Sequence, residues 1–225
     1  MGERNAEQLT VTEYRHFRNC DSPGIVELWR SQGPLAGRVQ PLTTTQLEAY
    51  VLSKPYFNPR GLIVAIEQGE IVGYVHAGFG TSEDGCGLSR EFGVICMLMI
   101  SPHIERRSEI AAALIQRAED YLRDEGAKVL YAGGIHPVNP FYLGLYGGSE
   151  LPGILVEEVE TLTSLRDANY TEIDQVVILQ RDLNNFRPKV DRKTMQVRRK
   201  FHIEATFDPP LRHWWEACQF SLSDR

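Results

Sequence analysis

The sequence predicts an α/β fold: a mixed, mostly antiparallel sheet of six or seven strands with helices on both faces, followed by a C-terminal strand-helix extension. Three stretches predict it. Gly61 to Phe79 reads as a hairpin, with LIVAIE and IVGYVHAGF around a turn at Gln68-Gly69, where glycine admits positive φ. Val94 to Ala132 reads as strand, loop, amphipathic helix and strand, a β-α-β unit that favours parallel pairing. After Leu183 the composition changes, which sets residues 187–225 apart from a main domain of residues 1–186.

Taken in order, Leu9 to Phe17 alternates for part of its length and reads as a strand. Asp21 or Ser22 caps a helix with Pro23 at its first position, and Ile25, Val26, Leu28 and Trp29 form its apolar face. Gly33, Pro34, Gly37 and Pro41 mark a loop, and a second short helix runs from about Thr45 to Lys54. Gly80 to Glu91 is polar and glycine-rich and reads as a loop. FGVICMLMI is nearly all apolar, as expected of a central strand buried on both faces. In the helix that follows, Ile110, Ala111, Leu114, Ile115, Ala118, Tyr121 and Leu122 share one face, and Gly126 suits the position just past its end. Lys128 to Ala132 is a strand, Glu157 to Asp167 a helix, and Tyr170 to Leu183 a last long strand of the main domain.

The tail opens on Arg187 to Lys200, with seven Lys/Arg and one acid. That segment is +6 by itself, so the remainder of a chain of net charge −6 carries −12. It reads as a solvated linker. Met195 to Phe207 alternates as a half-buried strand broken only by Arg199. Asp208-Pro209 then start a helix with Leu211, Trp214, Trp215 and Cys218 on one face. A lone strand and helix need a partner, so the extension docks on the sheet, forms a homodimer contact, or begins a second, truncated unit.

Composition excludes several classes. A hydrophobic fraction of 42% is enough for a core, and the net charge of −6 argues against general nucleic-acid affinity. No run of 18 apolar residues predicts a membrane span, and MGERNAEQLT lacks the apolar region of a secretion signal. Cys20, Cys86, Cys96 and Cys218 are isolated, so they read as reduced cytoplasmic thiols. The histidines lack ligand spacing, so no metal site is expected.

The chemistry starts at Ser101 to Ser108, between the buried strand and its helix. A helix N-terminus offers free N–H groups and partial positive charge to a phosphate, and Arg106 and Arg107 add full charges. An ordinary βα loop with solvated arginines is the alternative reading of these residues.

The whole order resembles the GNAT superfamily of acyl-CoA-dependent N-acyltransferases over about Leu9 to Leu183. Ile100-Ser101-Pro102 matches the strand ending V-x-P, and Arg106, Ala111 and Leu114 match R/Q-x-x-G-x-G/A and the leucine after it. Glu109 stands where the first glycine is usual, and the proline-to-helix spacing is one residue long. The resemblance implies acetyl-CoA or another acyl-CoA as co-substrate, held by Leu98, Met99 and Ile100 along the strand and by Arg106, Arg107, Ser108, Glu109, Ile110 and Ala111 at the loop. It implies direct attack of a small-molecule or peptide amine on the thioester, with a general base and an acid for the thiol. Glu91 and His136 are candidates for the base, with His76 and Glu150 behind them. Leu165 occupies the place of the family's usual tyrosine, ahead of the pair Asn169-Tyr170 that matches its G-F/Y, so Tyr142 and Tyr146 become the candidates for the acid. Two rivals stay open: a non-catalytic acyl-CoA sensor, and an interaction module that uses the tail strand and Trp helix.

Overall fold

The computed structural model describes residues 11–34, 38–82, 87–134, 138–142, 145, 153–177, 182, 184–185, 187, 191–207 and 218–224. The chain forms two compact units, residues 1–176 and 177–225. Of the expected elements, the Trp214-Trp215 helix over residues 208–217 lies outside the described residues.

The first unit is built on a sheet in the order β1-β2-β3-β4-β5. Strand β1 (Glu13–His16) pairs antiparallel with β2 (Leu62–Glu67), β2 with β3 (Glu70–Thr81), and β3 with β4 (Leu88–Ile100). Strand β5 (Val129–Ala132) pairs parallel with β4. The β2–β3 turn has Gln68 at φ 52° and Gly69 at φ 89°, the two positive values a tight hairpin requires. Glycine supplies one freely; Gln68 carries the strain of the other.

Helix α1 (Ser22–Ser31) has its proline in the first turn, as expected. Asp21 precedes it but does not cap it by side chain. Its carboxylate instead accepts from Arg15 at 2.6 and 2.7 Å and from the Arg18 N–H at 2.7 Å. Helix α2 (Thr44–Leu47) is capped by Thr43, which exchanges hydrogen bonds with Gln46, and runs into a π-helical turn over Glu48–Leu52.

Helix α3 (Arg107–Asp124) covers one face of the sheet. Its predicted apolar stripe is buried against Val75, Ala77 and Ile95. Each fully buried Leu or Ile there contributes about 1.5–3 kcal/mol. On the other face Tyr74 and His76 of β3 meet Trp29, Phe57, Phe141 and Tyr142. Helix α4 (Val159–Asp167) returns its Leu165 to the α3 face.

Five expectations are corrected. The described sheet of this unit has five strands, not six or seven. Within the expected strand Tyr170–Leu183, residues 171–177 pair with no described strand, and Ile173 and Val177 are 76% and 83% exposed. Alternation marks a segment that suits a pleat, and it forms a strand only where an edge receives it. The polar loop expected over Gly80–Glu91 is shorter, because β3 reaches Thr81 and β4 starts at Leu88.

The other two corrections fall in the second unit. Residues Arg192–Lys200 form helix α5, and the strand expected from Met195 starts only at Phe201. Lys, Arg, Gln and Met are good helix formers, and their propensity outweighs the alternation. Strand β6 (Phe201–Phe207) then pairs antiparallel with β7 (Cys218–Asp224), so Cys218, expected on the Trp helix, begins a strand.

Candidate functional site

Strand β4 has a different neighbour on each side, and on one side that neighbour leaves. Toward β3 it is paired through Ile100, opposite Gly73. Toward β5 it is paired only from Phe92 to Ile95, and the last bond is the Gly133 N–H to Ile95 O at 2.9 Å. Gly133 and Gly134 follow at φ 67° and 88°, where the chain turns out of the ladder. At the same place β4 is bulged: Met97 faces His76 and Ile95 faces Ala77, so Cys96 is the extra residue.

The split exposes hydrogen-bonding backbone. The Ser101 N–H donates to Val72 O at 2.8 Å, which fixes the alternation along the strand. Leu98 and Ile100 therefore turn their amides and carbonyls away from β3. Ile100 O accepts from Gln32 Nε2 of the segment after α1 at 3.0 Å, in agreement with that direction. Leu98 keeps its amide toward the gap left by β5.

A narrow, partly open cleft lies there, lined by Ile95–Leu98 of β4, by Gly133, Gly153 and Ile154, and by Glu158, Thr161 and Leu165 at and along α4. The Cys96 thiol is pushed far up by burial, so it is neutral and inert. Glu158 accepts from the Leu155 N–H at 3.1 Å and pairs with Arg38, whose guanidinium lies 5.5 Å from the centre of the Trp29 ring.

The loop at the end of β4 leads into α3. Ile110 N–H closes the first helical bond on Arg106 O at 3.1 Å, which leaves the amides of Arg107, Ser108 and Glu109 as the free first turn. Ile110 and Ala111 face the core. Arg106 donates to Glu67 at 2.8 Å and to Thr12 at 3.2 Å, and Arg107 donates to Glu160 of α4 at 2.6 Å. The Glu109 side chain is 71% exposed and stands 3.8 Å from Arg106, so it points to solvent rather than across the free amides.

The other sequence candidates are spread out. Glu91 lies at the exposed start of β4, 3.4 Å from Lys128 and four residues before the cleft begins, about 13 Å along a strand. Tyr142 is fully buried at φ 62°; its hydroxyl is 3.0 Å from His76 Nδ1, and its ring stacks on Trp29. His76 is also buried, and loss of solvation pushes its pKa down to about 3, so it is neutral. Tyr146, His136 and Glu150 lie outside the described residues. Among the described residues no group of three or more His, Cys, Asp or Glu side chains could hold a metal ion, and no helix is long and apolar enough to cross a membrane.

Glu158, Arg38, Gln32 and Asn139, which donates to Cys96 O at 3.4 Å, were not legible as site residues. Glu158 sits in an acidic run before a helix, which is common on surfaces, and Arg38 in a Gly/Pro loop. Only the fold brings the two together across 120 residues.

An extended thiol-bearing arm can take the place of the departed strand beside Leu98, while its phosphates meet the free turn of α3 at the same end of β4. The class so defined is the acyl-CoA-dependent acyltransferases. Residues 23–147, more than half of the chain, match the Acetyltransferase (GNAT) family, and the chain belongs to that family. Comparison with curated proteins gives no match. Among solved structures the chain is similar to the aminoglycoside N-acetyltransferase AAC(6')-Iy in complex with CoA, at 11% identity over 80% of this chain and 99% of that one, TM-score 0.51. It is also similar to a transcriptional regulator from Bacillus halodurans, at 13% identity over 76% and 99%, TM-score 0.50. A GNAT family acetyltransferase from Brucella melitensis in complex with acetyl-CoA shares 17% identity over 56% and 77%, TM-score 0.44. At these identities the likeness is one of fold.

Proposed function

We propose that the chain transfers an acetyl group from acetyl-CoA to a primary amine by direct attack. The observation that carries this is the split of β4 from β5 after Ile95, which leaves the Leu98 amide open beside the cleft and the α3 N-terminus at its end. The amine, with an ordinary pKa of about 10, first loses a proton. Its nitrogen then forms the C–N bond, the Leu98 N–H stabilises the carbonyl oxygen, the C–S bond breaks, and the nitrogen sheds its second proton to solvent. Leu165 supplies no acid at the cleft, and the Tyr142 hydroxyl is engaged with His76. The thiolate, whose ordinary pKa is about 8.5, therefore leaves unassisted or takes a proton from Tyr146, and His136 is the proposed base.

Leu165 also favours a second reading, a domain that binds the coenzyme without turning it over. One experiment separates them. Calorimetric titration with acetyl-CoA should show binding, and thiol release should rise above background with a panel of primary amines. Absence of binding at millimolar coenzyme sinks both readings; binding without release leaves the sensor. A reducing compartment, the cytoplasm, fits the free thiols of Cys20 and Cys96. Size measurement of the full chain against one ending at Leu183 tests a homodimer through residues 187–225.

A further inference from the structure

We infer that Glu158 is the seat of the acceptor's amino group, so that the cleft selects acceptors that present a positively charged primary amine. This rests on the acyltransferase reading. Glu158 is the only carboxylate that lines the cleft among the described residues; Thr161 is uncharged and the rest of the lining is apolar, glycine or the neutral Cys96 thiol. Its position is fixed rather than floppy. The Leu155 N–H donates to Oε2, the Leu162 N–H donates to its backbone oxygen at 3.1 Å, and Arg38 holds Oε1.

A carboxylate accepts about four hydrogen bonds. Among the described residues Oε1 accepts from Arg38 and Oε2 from the Leu155 N–H. Arg38's side chain is buried, at 2% exposure, and Glu158's is part-buried, at 13%. Buried ion pairs are commonly replaced by apolar residues with no loss of stability, so one that lines a cleft points to use. Arg38 is the positioning residue: without it the carboxylate would be free to swing out of the wall.

Chemically, the seat works in two stages. The acceptor arrives as an ammonium ion, held by charge and hydrogen bonds to Glu158. It gives one proton to the base, and the two remaining N–H groups stay on the carboxylate. The freed lone pair is thereby turned toward the β4 wall, where Leu98 lies. Attack forms the C–N bond, the C–S bond breaks with its electron pair going to sulfur, and the nitrogen sheds its second proton to solvent, leaving the amide.

The test uses the full chain and two probes of equal size, n-butylammonium chloride and neutral n-butanol. NMR signals of Ile95, Leu98 and Ile154 report their entry into the cleft. The wild type should bind the cation at least fivefold more tightly than the alcohol. In Arg38→Met/Glu158→Leu, which leaves no unpaired charge in the wall, that preference should fall to parity. The single Glu158→Gln variant should do the same if it keeps its melting temperature. A wild type with no preference, or a double variant that folds and keeps the preference, overturns the inference. Loss of acetyl-CoA binding in calorimetry would instead overturn the acyltransferase reading, whatever the probes show.

Discussion

The guanidinium of Arg107, at the first position of α3, is held by the carboxylate of Glu160 in the first turn of α4, with Nη1 2.6 Å from Oε1. The coenzyme loop and the helix that walls the cleft are thus joined by one ion pair. A pyrophosphate at the α3 N-terminus must share or displace that carboxylate. An exposed pair of this kind is worth about 0.2–1 kcal/mol. Glu160→Gln should therefore tighten acetyl-CoA binding up to about fivefold, and Arg107→Ala should weaken it by about tenfold or more through a lost charge-assisted hydrogen bond. Calorimetry on both variants checks the signs; a weaker Glu160→Gln protein would mean that Glu160 helps to hold Arg107 in its binding pose.

Glu109 looks damaging in the sequence, where glycine would suit a phosphate loop. In the structure its side chain points to solvent, and the three free amides of the turn lie clear of it. Glu109→Gln should change acetyl-CoA affinity by less than about threefold, the scale of a screened surface charge near a helix dipole. A gain of tenfold or more would show that the carboxylate reaches the phosphates.

His76 stores a pH dependence of stability. Burial lowers its pKa from 6.5 to about 3, so between these values the unfolded chain binds a proton that the folded protein refuses. Its contribution is complete above pH 6.5 and is lost as the pH falls, at up to about 1.4 kcal/mol per unit for one proton. Asp21 loses stability in the same direction but lower down. Burial pushes its pKa up, but hydrogen bonds from Arg15 and Arg18 outweigh that and hold it below 3.8. Denaturant unfolding between pH 6.5 and 4.5 therefore reads His76, and His76→Phe should flatten the slope by about one proton. An unchanged slope would show that His76 is solvated.

The main unit was legible where local pattern and final packing agree. The α3 stripe, the Gln68-Gly69 turn and the apolar β4 each satisfy propensity, periodicity and burial together. Asn169 is a subtler case: it stands where the family has glycine and adopts φ 66°, which asparagine tolerates better than most residues. Reading failed where two patterns compete. Met195–Lys200 alternates like a strand but is made of helix formers, and helix won. The site was half visible. Arg106 and Arg107 follow from the loop, whereas the Arg38–Glu158 pair depends on a contact between distant segments that no local signal announces.

The split itself rests on Gly133. Its φ is 67°, and a Cβ there would stand 2.9 Å from Ile154 Cγ1, on the wall of the cleft. An L-residue in this conformation costs about 1–2 kcal/mol, before any shift of Ile154. Gly133→Ala should therefore lower the melting temperature by about 2–8 °C for a domain of this size. The same methyl pushes Ile154 toward β4, so acetyl-CoA affinity should fall as well, and the Ile154→Ala second-site change should recover affinity without recovering the backbone cost. Recovery of both by Ile154→Ala would assign the whole effect to the side-chain clash, and recovery of neither would mean that β5 leaves β4 by another route than the Gly133 turn.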